Sequence, residues 1–158
     1  MKAIVIPLVI ILFFAYLDLQ QVNTTVKPWV NTVITPYEMD AIGWVLNNTK
    51  KKEVFLTCIF EGEFLMGMTL REATEGGDWA IVPDIITRMS EIDSIFKTND
   101  SNRAYELTKK YNASYVWLPL NRQTFCGYGW FYPNQIQFND SRFIPRFRNN
   151  GVVIYEIK

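Results

Sequence analysis

Residues 3–17, AIVIPLVIILFFAYL, contain no charge, and their only polar side-chain group is the Tyr16 hydroxyl. A run like this must be taken up by lipid as a helix, because the bilayer core offers no other partner for backbone N–H and C=O groups. Lys2 and the amino terminus supply a positive flank on the N-terminal side, which orients the segment N-in and C-out. About 20 residues span a bilayer core, whereas the apolar region of a signal peptide is about 7–15 residues, so an anchor and a cleaved signal both fit. A cleavage site would need small residues, but Ala15 is followed by Tyr16, Leu17, Asp18, Leu19 and Gln20, which favours the uncleaved anchor. Leu19 and Val22 extend the apolar face, Tyr16 suits the interface, and Pro7 is tolerated near the start of a helix. The expected organisation is therefore a membrane segment at 1–21, a low-charge linker at 22–34 broken by Pro28, and a membrane-anchored domain at 35–158 on the extracytoplasmic face.

That placement agrees with five Asn-x-Ser/Thr triplets, at Asn23, Asn47, Asn99, Asn112 and Asn139, none with proline in the middle. They are candidate N-glycosylation sites on an exported chain. Asn47, Asn99 and Asn112 also fall at expected helix ends, where asparagine serves equally as a cap.

The remaining 124 residues, 35–158, suffice for one domain with a proper core and are too few for two. Basic and acidic residues balance at 16 each, so no global field draws in nucleic acid. The absence of histidine removes Ser/His/Asp and Cys/His catalysis and every histidine-ligated metal site. No cofactor motif is present, and acid–base work would fall to carboxylates. The two cysteines, Cys58 and Cys126, fit either one disulfide or two separate buried thiols.

Thr35-Pro36-Tyr37-Glu38 predicts a helix start, with threonine as N-cap, proline at the first helical position and glutamate completing a capping box. Met39, Ile42, Trp44, Val45 and Leu46 give that helix an apolar face, and Asn47-Asn48 ends it. EVFLTCIF at 53–60 reads as a central strand covered on both faces, followed by a short helix at 62–70 and a charged loop at 71–78. A second strand is expected at 79–82, ended by Pro83. Asp84 is the expected cap of a helix to about Phe96, and Asp100 or Ser101 that of another to Tyr111, with Glu106 and Lys110 paired at i,i+4. SYVWL at 114–118 is a third buried strand, and the strand–helix–strand rhythm predicts parallel pairing with right-handed crossovers. Residues 143–147 and 152–157, joined by Asn149-Asn150-Gly151, predict a closing antiparallel hairpin. The fold class is α/β: a small mixed sheet with parallel core strands, an antiparallel C-terminal hairpin and one N-terminal membrane helix.

The ordered pieces TPYEMDAIGWVLNNT, EVFLTCIF, TLRE, KKYNASYVWLP and FIPRFRNNGVVIYEIK resemble the C-terminal extracytoplasmic domain of archaeal polytopic membrane glycosyltransferases that use polyprenyl-phosphate-linked sugars, mannosyltransferase-like and oligosaccharyltransferase-like. The resemblance covers residues 35–158 and is most specific in KYNASYVWL and NNGVVIYEI. Those enzymes carry acidic catalytic residues on loops between many membrane helices, a portion this chain lacks. The tryptophan–tryptophan–Asp–Tyr–Gly signature is absent too. The resemblance implies an accessory domain, non-catalytic by itself, whose partners are the membrane and a polytopic glycosyltransferase or lipid-linked sugar. It equally accommodates the tail of a longer enzyme.

Two clusters invite functional readings. Arg71, Glu72, Glu75 and Asp78, with Arg88 shortly after, could bind an anion through the arginines or a hard cation through the carboxylates, though such a loop is as readily only solvated. Residues 125–133 place Tyr128, Trp130, Phe131 and Tyr132 around two glycines, a loop suited to stacking on sugar rings or docking a partner, or simply to covering one end of the sheet. Such a loop on a free-standing envelope module is the alternative to the accessory domain. Trp44, Trp79 and Trp117 are expected in the core.

Overall fold

The computed structural model describes residues 2–30, 34–77 and 82–158. The chain divides into two units, 1–32 and 33–158.

The first unit is one helix, α1 (Lys2–Val30). At about 1.5 Å per residue its 29 residues measure about 44 Å, and the stretch Ile6–Val30 is long and apolar enough to cross a membrane. The helix reaches well beyond residue 21, so most of the segment read as a linker is helical. Val22, Val26 and Val30 continue the i,i+4 apolar row, and Thr24 Oγ1 bonds to the Gln20 and Gln21 carbonyls.

The second unit is a mixed α/β domain. Its helices are α2 (Pro36–Asn48), α3 (Ile59–Thr69), α4 (Ile85–Lys97) and α5 (Ser101–Lys110). The main sheet contains β1 (Val54–Leu56), β2 (Glu72–Ala73), β3 (Tyr115–Pro119), β6 (Phe143–Arg148) and β7 (Val152–Ile157), in the order β2-β1-β3-β7-β6. β4 (Thr124–Phe125) and β5 (Trp130–Phe131) form a separate antiparallel ribbon, and Ile136–Asn139 make a 3₁₀ turn. β1 pairs parallel with β2 and β3, and β7 pairs antiparallel with β3 and β6.

Alternation along the strands shows two covered faces. Phe55, Tyr115, Trp117, Val152 and Ile154 pack under Ala41, Ile42 and Val45 of α2 and Leu65 of α3. Leu56, Val116, Leu118, Val153 and Tyr155 pack under Ile92, Ile95 and Phe96 of α4, Ala104 of α5 and Phe138 of the 3₁₀ turn. Each fully buried large side chain contributes about 1.5–3 kcal/mol of transfer free energy.

The helix starts at α2 and α5 follow the sequence expectation. Thr35 and Glu38 form the capping box with Pro36 in the first turn, and Asp100 Oδ1 accepts from the N–H groups of Asn102 and Arg103. At α4, Asp84 occupies the N-cap position in a left-handed conformation and makes no side-chain cap. Lys110 bonds to Glu91 across the α4–α5 contact, not to Glu106.

The first strand is shorter than expected. β1 stops at Leu56 because the Thr57 N–H is taken by the Thr74 side chain, and α3 begins at Ile59, three residues before the expected start. β2 lies inside the segment read as an unpaired loop, its pairing continued by the Thr74 N–H on the Phe55 carbonyl at 2.8 Å. The strand expected at 79–82 falls mainly on residues outside those described, Trp79 among them, and Val82 lies in a bend. β6 is the sheet edge, where Pro145 cannot donate and the register shifts between Pro145 and Phe147.

Candidate functional site

From β1 the chain reaches β2 through α3 on one face, then crosses back over β1 to β3 through α4 and α5 on the other. The connections thus reverse between β1 and β3, and in open α/β sheets ligands bind outside the C-terminal ends of such a strand pair. Here that crevice is filled by the chain's own loops.

Thr57 Oγ1 donates to the Glu75 carbonyl at 3.2 Å, and Thr74 Oγ1 donates to the Thr57 carbonyl at 3.2 Å, so the loop after β2 is laced to the end of β1. Two glycines permit the approach. A Cβ on Gly62 would stand 1.7 Å from the Glu75 carbonyl oxygen, and Gly76 holds φ +128° with its backbone against Glu63. Directly beyond, Cys58 at the start of α3 and Cys126 after β4 form a disulfide, with Cα atoms 4.6 Å apart and a sequence separation of 68.

Beside the disulfide lies Glu75. It is 4% exposed, and neither carboxyl oxygen has a hydrogen-bond partner among the described residues. Burial pushes its carboxyl up to about 9; Arg88 opposes the shift, and Asp93 and Glu61 add to it. Glu75 is therefore a neutral acid at pH 7. The ligand atoms of Cys58, Glu75 and Cys126 all lie within 4.8 Å of one another.

A second buried polar group sits on the α2/α3 side. Arg122, in the loop after β3, places Nε 3.2 Å from Glu38 Oε1 and a terminal nitrogen 3.2 Å from Glu61 Oε1. Thr124 Oγ1 donates to Glu61 Oε2 at 2.8 Å. Glu38 also takes the Thr35 backbone N–H at 2.7 Å and the Thr35 hydroxyl. Burial raises the Glu61 pKa, with Arg122 and Thr124 acting against it. With one guanidinium between them, Glu38 and Glu61 tie the starts of α2 and α3 to the β3 loop. This group escaped the sequence reading: Glu38 declares itself only as a capping residue, and the one available sign was the acidic Glu61 embedded between apolar neighbours.

The four described residues of the charged cluster, Arg71, Glu72, Glu75 and Arg88, do not converge on one site. Arg71 is buried and donates to the carbonyls of Thr69 at 2.6 Å, Thr49 at 2.7 Å and Leu46 at 3.3 Å, and to Thr49 Oγ1 at 3.3 Å. It gathers the C-terminal carbonyls of α2 and α3. Glu72 is exposed on β2. Among the described members only Glu75 and Arg88 share a neighbourhood, and Arg88 also lies 5.2 Å from the Tyr111 ring centroid. Asp78 lies outside the described residues.

The aromatic loop divides into an inner and an outer half. Trp130 stacks on Phe60 with centroids 5.6 Å apart and touches Phe125, and Phe131 lies under Lys97 Nζ at 4.3 Å. Gly127, at φ +104°, passes directly over Met89, and Tyr128 donates its hydroxyl to the Ile86 carbonyl at 3.0 Å. The ribbon thus lies along α4, leaving Tyr128 56% and Tyr132 68% exposed. All five sequon asparagines are exposed: Asn23 on α1, Asn47 on α2, Asn99 between α4 and α5, Asn112 after α5, and Asn139 at the end of the 3₁₀ turn.

Fold and site together define an α/β domain with a disulfide closing its strand crossover, preceded by a membrane-length helix. Comparison with the known protein families and with curated proteins finds no match for this chain.

Proposed function

We propose that this chain is a membrane-anchored domain of the extracytoplasmic face, non-catalytic by itself, that works beside a membrane glycosyltransferase using polyprenyl-linked sugars. The observation that carries the anchored, exported reading is the conjunction of α1 with a domain that has its disulfide buried and every one of its sequon asparagines exposed. A disulfide persists in an oxidising compartment, and surface asparagines are what a glycan requires. The non-catalytic reading is supported by the state of the buried carboxylates: Glu38 and Glu61 share Arg122, and Glu75 is walled off beside the disulfide. The glycosyltransferase as partner rests on the resemblance of residues 35–158.

A mild-detergent pull-down of the full-length chain from its native membranes, with mass spectrometry of partners and sequons, tests the whole reading. Recovery of a polytopic glycosyltransferase is the expected result, and recovery of the chain alone would sink the accessory role. A free-standing glycan-binding module is favoured by one observation, the exposure of Tyr128 and Tyr132. On that reading soluble oligosaccharide quenches aromatic fluorescence saturably, and Tyr128→Ala with Tyr132→Ala removes the quenching while leaving the packed Trp130 in place.

A further inference from the structure

Three elements that are distant in sequence deliver potential metal ligands to one buried point. Cys58 comes from the start of α3, Cys126 from beyond β4, and Glu75 from the loop after β2, all buried and with ligand atoms within 4.8 Å of one another. The cysteines account for each other through the disulfide, but Glu75 has no such account: it is 4% exposed with both oxygens unpartnered among the described residues. A buried carboxyl left without a donor is unfavourable, and one placed against two sulfurs has the composition of a metal shell. In a tetrahedral zinc site, sulfur stands about 2.3 Å and carboxylate oxygen about 2.0–2.2 Å from the ion, so the three ligand atoms come into range once the two sulfurs part. Next to Glu75 lies a small cavity of ≈ 10 Å³, bordered by Ile59, Thr74, Gly76 and Met89.

We propose that the dithiol form of this site binds a divalent ion of the zinc class through Cys58 Sγ, Cys126 Sγ and a Glu75 carboxylate oxygen, and that forming the disulfide expels it. Loading needs a dithiol reductant. Its two thiols pass two electrons to the S–S bond and close to a disulfide of their own. The freed Cys58 and Cys126 thiols then lose their protons as two metal–sulfur bonds form, and a Glu75 carboxylate oxygen completes the set. Release takes two electrons back from the thiolates to a low-molecular-weight disulfide, which leaves as two thiolates alongside the free ion. The bridge and the metal centre are thus alternative closures of the same crossover.

The test uses the full-length protein in mild detergent, reduced with a phosphine without oxygen and titrated with Co²⁺, following sulfur-to-cobalt charge-transfer absorption and far-ultraviolet circular dichroism. Expected are one Co²⁺ per chain with a charge-transfer band, displacement by Zn²⁺, and loss of the band on reoxidation or in Cys58→Ser. Glu75→Gln should keep both sulfurs and the band but weaken affinity roughly tenfold or more. Several results would overturn the proposal: no charge-transfer band in the reduced protein, equal uptake by the oxidised protein, or a Glu75→Gln variant that titrates like the parent. A reduced chain that unfolds and is not refolded by Co²⁺ or Zn²⁺ would overturn it too. None of these outcomes bears on whether α1 anchors the chain.

Discussion

At Glu75 a single carboxyl links packing to pH. Its folded pKa, about 9, lies above the ordinary carboxyl value of 4.5 that an unfolded chain would show. Between those values the folded state holds the proton and the unfolded state does not, so this group's contribution is complete below about pH 4.5 and is lost as pH rises toward 9. Urea unfolding from pH 5 to pH 9 should therefore show stability falling with pH, by at most about 1.4 kcal/mol per unit from this group, and Glu75→Gln should flatten that slope. Arg71 acts differently. Its guanidinium serves three carbonyls and a hydroxyl, so Arg71→Ala strands buried acceptors at two helix ends and should cost about 2–3 kcal/mol in chemical denaturation. The sequence places Arg71 and Glu75 in one charged loop and offers both as ligands. It does not tell them apart, because the distinction lies in the distance to α2 for one and to the disulfide for the other.

Among the elements, α2 was the most legible. Its capping box and first-turn proline are local chemistry, complete within Thr35 to Glu38, and need no tertiary partner to be recognised. Thr35→Ala should lower stability by about 1–2 kcal/mol in thermal or urea unfolding without altering the rest of the sheet. Glu38 carries a second duty that its cap does not reveal, holding Arg122 at 3.2 Å, so Glu38→Ala should cost clearly more than Thr35→Ala. β3 and the β6–β7 hairpin were legible for a similar reason: a buried β-forming run and an Asn-Gly turn are signals written in adjacent residues. β1 was not, because the apolar run at 53–60 serves as strand for three residues and then as helix start. The change is imposed by Thr74 and Cys126, which approach from elsewhere in the chain.

For the molecule as a whole, the 68-residue separation bridged by Cys58 and Cys126 spans the helical crossover from β1 to β3. Closing a loop of that length removes about 4 kcal/mol of unfolded-state entropy, so reduction in the absence of divalent metal should lower the unfolding midpoint sharply. Glycan mapping provides an independent check on the placement of the chain. If α1 crosses the bilayer, Asn23, within Ile6–Val30, sits at membrane depth, and glycosidase treatment with peptide mapping should find occupancy among Asn47, Asn99, Asn112 and Asn139 but not at Asn23. Glycan on Asn23 would mean that the membrane-spanning part ends well before it.

The sequence by itself determined the membrane-length apolar helix, the α/β class, the two-sided burial of β3, the capped helices α2 and α5, and the terminal hairpin. Each rests on contacts or periodicities within a dozen residues, where side-chain chemistry and backbone preference act together. Tertiary structure alone decided that Cys58 meets Cys126, that Glu75 is buried beside them with its carboxyl oxygens unpartnered among the described residues, that Arg122 joins Glu38 to Glu61, and that the aromatic ribbon lies along α4 with its tyrosines outward. Those arrangements depend on which loops meet at the reversal between β1 and β3. That meeting is set by the handedness and packing of crossovers many residues long, which no local pattern records.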